Sequence, residues 1–133
     1  NWPTYMTERM KAAHPVHCAG VAKAHRMGIT IATGTDGGPG SITNELRLLV
    51  DCGLSPMDAL VAATRTTADV LGILHRTGTL EAGKSADLLV VSGDPTQDIT
   101  VLSSKDSICL VMKDGVIQAA GDFDPNRTET AEP

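Results

Sequence analysis

The spacing of apolar residues along the chain changes near residue 76, and the part before it has the pattern of an α/β segment. Thr4–Arg26 has helical spacing, but a break or new start is predicted at His14-Pro15 because proline interrupts the hydrogen bonds of a helix interior. Ile29–Thr33 is short, apolar and rich in β-branched residues, which predicts a strand. Thr43–Cys52 predicts the next helix, with its apolar residues on one face.

A second helical region is predicted after residue 54. Ser55-Pro56-Met57-Asp58 is a strong helix start, because it combines a serine cap, a proline at the first helical position and an acid at the third. A further short helix is predicted over Thr67–Leu74, where apolar residues recur at helical spacing.

Strands replace helices in the second part of the chain. They are predicted at Asp87–Val91, Ser107–Met112 and Val116–Ala119. Asp114-Gly115 lies between the last two, and this dipeptide is the strongest short-range signal of a β-hairpin. Residues 122–133 are polar and rich in Pro, Asn, Thr and Glu, which predicts a disordered tail.

The composition excludes some classes of partner. Hydrophobic residues make up 41% of the chain but aromatic residues only 2%, so the core is aliphatic and bases of single-stranded nucleic acid would find few stacking platforms. The formal net charge is −5, and the whole acidic excess follows residue 75. An acidic chain is a poor binder of polyanions, so we expect neither a nucleic acid nor a membrane as partner.

The three cysteines, Cys18, Cys52 and Cys109, are widely spaced and form no CxxC motif. Their odd number and spacing favour reduced, buried thiols in a cytoplasmic protein. No apolar run is long enough for a membrane span, and no signal segment opens the chain. Because the chain starts at Asn1 rather than at a methionine, we expect a processed product or a fragment.

Asp36 is the candidate catalytic or metal-binding residue of the sequence. It follows the predicted strand and precedes a helix, inside the glycine-rich loop of residues 34–40. Reactive groups of α/β proteins lie just beyond the carboxyl ends of parallel strands, where a carboxylate can bind a cation or accept a proton. Two other interpretations stay open from the pattern alone. Asp36 could cap the helix or close a turn, and the loop could bind phosphate, although it lacks the GK[ST] and GxGxxG patterns.

The histidines give a weaker signal. His14 and His17 are three residues apart and could face one way on a helix, but Pro15 lies between them and disturbs that geometry. We therefore expect surface or packing roles for them. His25 stands near a predicted helix end, where a cation is favourable.

Four motifs in order carry a family resemblance: GITIATGTDGG, GLSPMDALVAATRTTADVLGI, TGTLEAGKSADLLVVSGDP and VMKDGVI. Over residues 22–120 the chain resembles the C-terminal region of the amidohydrolase superfamily, with most similarity to its imidazolonepropionase-like and Xaa-Pro dipeptidase-like branch. The resemblance implies an α/β fold that is the C-terminal part of a metal-dependent (β/α)8 TIM-barrel hydrolase followed by strands of a β-sandwich. Residues 1–75 would be the barrel piece with bridging helices, and residues 76–121 the sandwich strands.

The resemblance also implies a role for Asp36. It matches the strand-eight aspartate of the family, which contacts the metal, accepts a proton from the bound water and passes that proton to the leaving group. Gly37 and Gly38 would let substrate approach the backbone beside this acid. The implied activity is hydrolysis of a C–N bond in a small amide, dipeptide or cyclic amide, and the implied cofactor is a divalent metal, with zinc favoured.

The chain departs from the family in what it lacks. The family's HxH on the first strand and its histidines on the fifth and sixth strands have no match here, so Asp36 is one metal-site residue of about five. We expect the chain alone to be inactive and not to retain the metal. Its partner would be the missing N-terminal part of its own barrel, and a homo-oligomer is left open. The alternative function is a non-catalytic α/β interaction module.

Overall fold

The computed structural model describes residues 3–36 and 41–121 of the 133. It shows a mixed α/β structure in which helices come first and a small antiparallel sheet comes last. The predicted tail, residues 122–133, lies outside the described residues. The elements are α1 Thr4–Arg26, α2 Ser41–Asp51, α3 Pro56–Val61, a π-helical turn Ala62–Thr66, α4 Thr67–Val70, 3-10 helices Ile99–Ser103 and Lys105–Ser107, and strands β1 Leu88–Val91, β2 Ile108–Lys113 and β3 Val116–Ala120.

The first helix, α1, runs without interruption through Pro15. The predicted break at His14-Pro15 is therefore wrong: the proline removes one backbone donor, and the other bonds of a helix of 23 residues keep it continuous. The helix ends where Gly28 adopts a left-handed φ of 74° and Ile29 N–H donates to Ala24 O at 3.0 Å. No residue of α1 is buried, so its attachment depends on individual side chains.

The predicted strand at Ile29–Thr33 is not formed. Residues 29–36 have neither helical nor strand structure, because a strand needs a neighbouring backbone and the described strands pair only among themselves. The segment is irregular backbone, and Thr33 N–H donates to the side chain of Thr67 at 3.2 Å instead of to a sheet.

The helical part of the core lies between α2 and α3. Leu46, Ala59 and Ile99 are buried together, and half-buried Leu49 and Leu60 pack against them. The observed α2 closely matches the helix predicted over Thr43–Cys52. Ile99 comes from the region after β1, so this cluster also joins the helices to the second part of the chain.

The predicted helix start at Ser55 is confirmed. Asp58 N–H donates to Ser55 Oγ at 3.1 Å, and Pro56 occupies the first helical position. The pKa of Asp58 is lowered, first by the hydrogen bond that Ser55 Oγ donates to its carboxylate and then by the charge of His25. His25 Nε2 lies 3.5 Å from Asp58 Oδ2, so this pair links the end of α1 to the start of α3.

The helical run from Pro56 to Val70 contains a π-helical turn over Ala62–Thr66. Thr67 Oγ1 donates to Ala62 O at 2.7 Å and so caps the carbonyl five residues earlier. The short helix predicted over Thr67–Leu74 ends earlier than expected, at Val70, because the chain turns at Gly72 with a φ of 71°.

The sheet has the order β1-β2-β3, and both pairs are antiparallel. The hairpin predicted at Asp114-Gly115 is confirmed, with φ angles of 49° and 76° at these residues, as a type I′ turn requires. Strand β3 forms an edge of the sheet and all its residues are exposed, whereas Leu110 in the central strand is buried. The sheet thus leaves part of its apolar surface uncovered.

A carboxylate fastens this hairpin to the preceding segment. Asp87 Oδ1 accepts the backbone N–H of Asp114 and Asp87 Oδ2 accepts Thr77 Oγ1–H, each at 2.8 Å. These two bonds, with the Asp114 bond as the larger cause, hold the pKa of Asp87 below its usual value of 3.8.

The cysteines differ from the prediction. Cys18 of α1 and Cys52, just after α2, form a disulfide, while Cys109 is a free, half-buried thiol. The prediction of three reduced thiols is therefore wrong for two of them, because an odd count and wide spacing say nothing about which residues the fold brings together.

Among the residues described, no helix has the length and apolar character needed to cross a lipid bilayer.

Gly78 should tolerate a methyl group far less than Gly83. Both have a left-handed φ, 95° and 91°, but a Cβ on Gly78 would lie 2.5 Å from Ala68 Cβ, whereas a Cβ on Gly83 meets nothing within 4 Å. We expect Gly83→Ala to lower the free energy of unfolding by about 1–2 kcal/mol from backbone strain. Gly78→Ala should lower it by about 1–3 kcal/mol more from overpacking. Urea unfolding measures both, and equal losses would contradict the contact.

Asp87→Asn should destabilise the protein near neutral pH and have no effect in acid. Because the folded-state pKa of Asp87 is lowered, the stabilisation by its carboxylate is fully present above the unfolded pKa of 3.8 and is lost as the pH falls through the folded pKa. The difference in unfolding free energy between wild type and variant should therefore shrink as the pH is lowered below about 5. As a control, Thr77→Val removes one donor but keeps the carboxylate, so the loss should be smaller. A difference in unfolding free energy between wild type and Asp87→Asn that is the same at every pH would refute the role of the ionised carboxylate.

Candidate active site

The segment that leads to Asp36 is held by side chains from two helices. Thr67 Oγ1 accepts both the N–H and the hydroxyl hydrogen of Thr33, each at 3.2 Å, because its own hydrogen is donated to Ala62 O. One residue further on, Gly34 N–H donates to Glu45 Oε1 of α2 at 2.9 Å. The backbone is thus fixed two residues before Asp36.

Glu45 contacts the segment before Asp36 and was not predicted as a site residue from the sequence. Its Oε1 holds the Gly34 amide, whereas its Oε2 is buried and has no hydrogen-bond partner among the residues described. A buried carboxylate oxygen without a donor is costly, and the bond from Gly34 N–H to Oε1 offsets part of that cost. The sequence feature that could have pointed to Glu45 is its place directly before Leu46, which lies on the buried side of α2.

Asp36 itself is exposed and has a left-handed φ of 46°. Residues in this region other than glycine are uncommon, and they concentrate at turns and functional sites. Asp114 has nearly the same φ, 49°, in an ordinary hairpin, so the backbone angle alone does not mark a site. Its place after the anchored segment distinguishes Asp36. Gly37 and Gly38 lie outside the described residues, and their predicted contact with substrate stays a prediction.

The potential metal ligands gather elsewhere. Within residues 3–36 and 41–121, the one group of three candidate ligands is formed by His14, Cys18 and Cys52, and Asp36 is not part of it. His17, although also on α1, does not belong to this group either. Asp36 therefore has no set of partner ligands among the described residues.

The chain is similar in sequence and in fold to several known proteins. Ochratoxinase of Aspergillus niger is 33% identical over 110 residues, which are 80% of this chain and 23% of that enzyme. A crystal structure of A. niger ochratoxinase superposes with a TM-score of 0.77 at 28% identity and covers 94% of this chain. An imidazolonepropionase of Mesorhizobium japonicum is 44% identical over 71 residues, which are 49% of this chain and 17% of that protein.

A crystal structure of a Xaa-Pro dipeptidase with bound methionine superposes with a TM-score of 0.70 at 36% identity and covers 78% of this chain. The chain matches 25% of that structure and 30% of the ochratoxinase structure, so it spans less than a third of the length of these relatives. The sequence profile of the amidohydrolase family matches residues 6–117. This chain therefore belongs to the amidohydrolase family.

Proposed function

We propose that this chain is the C-terminal segment of a metal-dependent amidohydrolase in which Asp36 transfers the proton during hydrolysis of a C–N bond. The observation that carries the proposal is the anchoring of Thr33 and Gly34, which presents an exposed carboxylate directly after a held segment and before α2. The family match and the relatives named dipeptidase and imidazolonepropionase support it.

The same proposal assigns the architecture. Ile29–Thr33 would be the last strand of a (β/α)8 barrel, which would form its ladder with strands that the described residues do not contain. Strands β1, β2 and β3 correspond to part of a β-sandwich. The uncovered edge strand β3 supports this assignment, because an exposed edge is normally paired or covered.

The chemistry of Asp36 follows from its exposure. As water attacks the carbonyl carbon of an amide, the carboxylate accepts a proton from that water, and the C–N bond breaks when the same proton is delivered to the leaving nitrogen. Proton transfer by a positioned side chain typically contributes about 10²–10⁴-fold to the rate. Holding the backbone at two neighbouring residues limits the movement of the carboxylate.

The metal would need ligands beyond this part of the chain. Asp36 is one carboxylate, and a catalytic zinc site usually has three protein ligands. A bound divalent cation makes water more acidic, which is the chemistry it would supply here. We expect the chain alone not to hold zinc at Asp36. The substrate class, an amide, dipeptide or cyclic amide, is inferred from the names of the relatives.

A second candidate function is a non-catalytic interaction module. It is favoured by an open apolar groove of about 900 Å³ between the helices and the sheet, lined by side chains such as Leu60, Leu71, Leu89 and Met112.

A cytoplasmic location also stays a prediction, since the Cys18–Cys52 disulfide removes the argument from reduced thiols.

Asp36→Asn should lower kcat by about 10²–10⁴-fold in the protein that includes the sequence encoded upstream of Asn1, because the amide cannot accept the proton. We expect that upstream sequence to contain an HxH motif after a short apolar strand. Steady-state release of amine from a panel of dipeptides and N-acyl amino acids measures the effect.

The matched control is Asp114→Asn, which changes an aspartate of the same left-handed φ in the hairpin and should keep full turnover. Wild-type kcat in Asp36→Asn would overturn the catalytic role. A start codon directly before Asn1 would favour the interaction module.

Glu45→Ala should loosen the segment that precedes Asp36. The lost bond to Gly34 N–H is charge-assisted, and such bonds are worth about 1.5–3 kcal/mol, so amide exchange at Gly34 should become about tenfold faster or more. Hydrogen exchange followed by NMR measures this. Glu45→Gln keeps an acceptor oxygen and should keep the protection, and an unchanged rate in Glu45→Ala would contradict the anchoring.

A further inference from the structure

Outside the candidate active site, α1 and α2 bring together a cluster of His14, Cys18 and Cys52, called here the thiol–imidazole cluster. His14 and Cys18 are four residues apart and therefore share one face of α1, and Cys52 follows the end of α2. His14 Nε2 lies 3.8 Å from Cys18 Sγ, and the three potential ligand atoms lie within 4.8 Å of one another.

The donor set and spacing of this cluster suit zinc. With Zn–S near 2.3 Å and Zn–N near 2.0–2.1 Å, two sulfur ligands of a tetrahedral site lie about 3.8 Å apart, and a sulfur and a nitrogen ligand about 3.5–3.6 Å apart. The 3.8 Å from His14 Nε2 to Cys18 Sγ exceeds the sulfur–nitrogen value by only about 0.2 Å. The two sulfurs are joined in the disulfide and would have to separate, which requires reduction because only thiolates bind the metal.

The geometry points to a redox-gated zinc site at the thiol–imidazole cluster, closed while Cys18 and Cys52 are joined and open once they are reduced. A dithiol or phosphine reductant cleaves the S–S bond and leaves two thiols, and is itself converted to a disulfide or a phosphine oxide, the oxygen of the latter coming from water. Binding of Zn²⁺ then releases the two thiol protons. His14 is exposed, so solvent can fill the fourth position.

The site has a structural consequence for α1. This helix has no buried residue, and the disulfide and the His25–Asp58 pair join it to the following helices. A zinc ion held by Cys18 and Cys52 would preserve the link between α1 and α2 after the disulfide is reduced. The inference is independent of the proposed hydrolase activity, because Asp36 is not part of the cluster.

The test is a titration with Co²⁺, followed by competition with Zn²⁺, of the protein before and after treatment with a water-soluble phosphine. Reduced protein should bind one Co²⁺ per chain, with a sulfur-to-cobalt charge-transfer band and the visible bands of tetrahedral cobalt, and Zn²⁺ should remove both. Oxidised protein should lack the charge-transfer band, because it has no thiolate of Cys18 or Cys52 to bind the metal. This comparison needs no substitution, and absence of the charge-transfer band after reduction would overturn the inference.

Variants assign the ligands. Cys52→Ser and His14→Ala should each lower the Co²⁺ affinity of the reduced protein by at least about tenfold. Substituting residues that only hydrogen-bond to metal ligands already lowers metal affinity by about 10–100-fold. Cys109→Ser and His17→Ala are matched controls, a cysteine and a histidine outside the cluster, and should leave the affinity unchanged. Asp36→Asn should also keep the band, which separates this site from the proposed active site. Unchanged affinity in Cys52→Ser, or an equal loss in His17→Ala, would refute the assignment.

Discussion

The hydrogen bonds of the backbone at Thr33 and Gly34 are the constraint on which the candidate site depends. Backbone donors need acceptors, and among residues 3–36 and 41–121 no neighbouring strand supplies them here. Thr67 Oγ1 and Glu45 Oε1 take that role, one from α4 and one from α2. The position of Asp36 is therefore set by side chains of two helices that come after it in the sequence.

The π-helical turn belongs to the same arrangement. Inserting one extra residue into a helical turn shifts the side chains that follow, and such turns are frequent at functional sites. Thr67 follows the π turn directly, and its hydroxyl is oriented by donation to Ala62 O, which leaves its lone pairs for Thr33. A regular helix would place the side chain at this position differently. The irregularity thus contributes to holding the segment before Asp36.

Local signals predicted the helix cap and the hairpin, although the break predicted at Pro15 was wrong, and the misses that affect the candidate site are tertiary. The Ser55 cap and the Asp114-Gly115 hairpin were predictable, because a few neighbouring residues determine each of them. The strand predicted at Ile29–Thr33 is not formed, since strand structure depends on a partner backbone from elsewhere in the chain. Glu45 was missed for a similar reason: its acceptor role is visible only when α2 lies beside Gly34.

The Cys18–Cys52 disulfide is another contact between distant residues that the sequence did not predict, and it changes the redox state expected for two cysteines. An odd number of cysteines permits a pair, and a separation of 34 residues gives no sign that Cys18 and Cys52 meet. Because α1 has no buried residue, side-chain links replace hydrophobic packing at this helix. A covalent bond or a metal ion supplies strong attachment from few atoms, which is what a helix with so little buried surface requires.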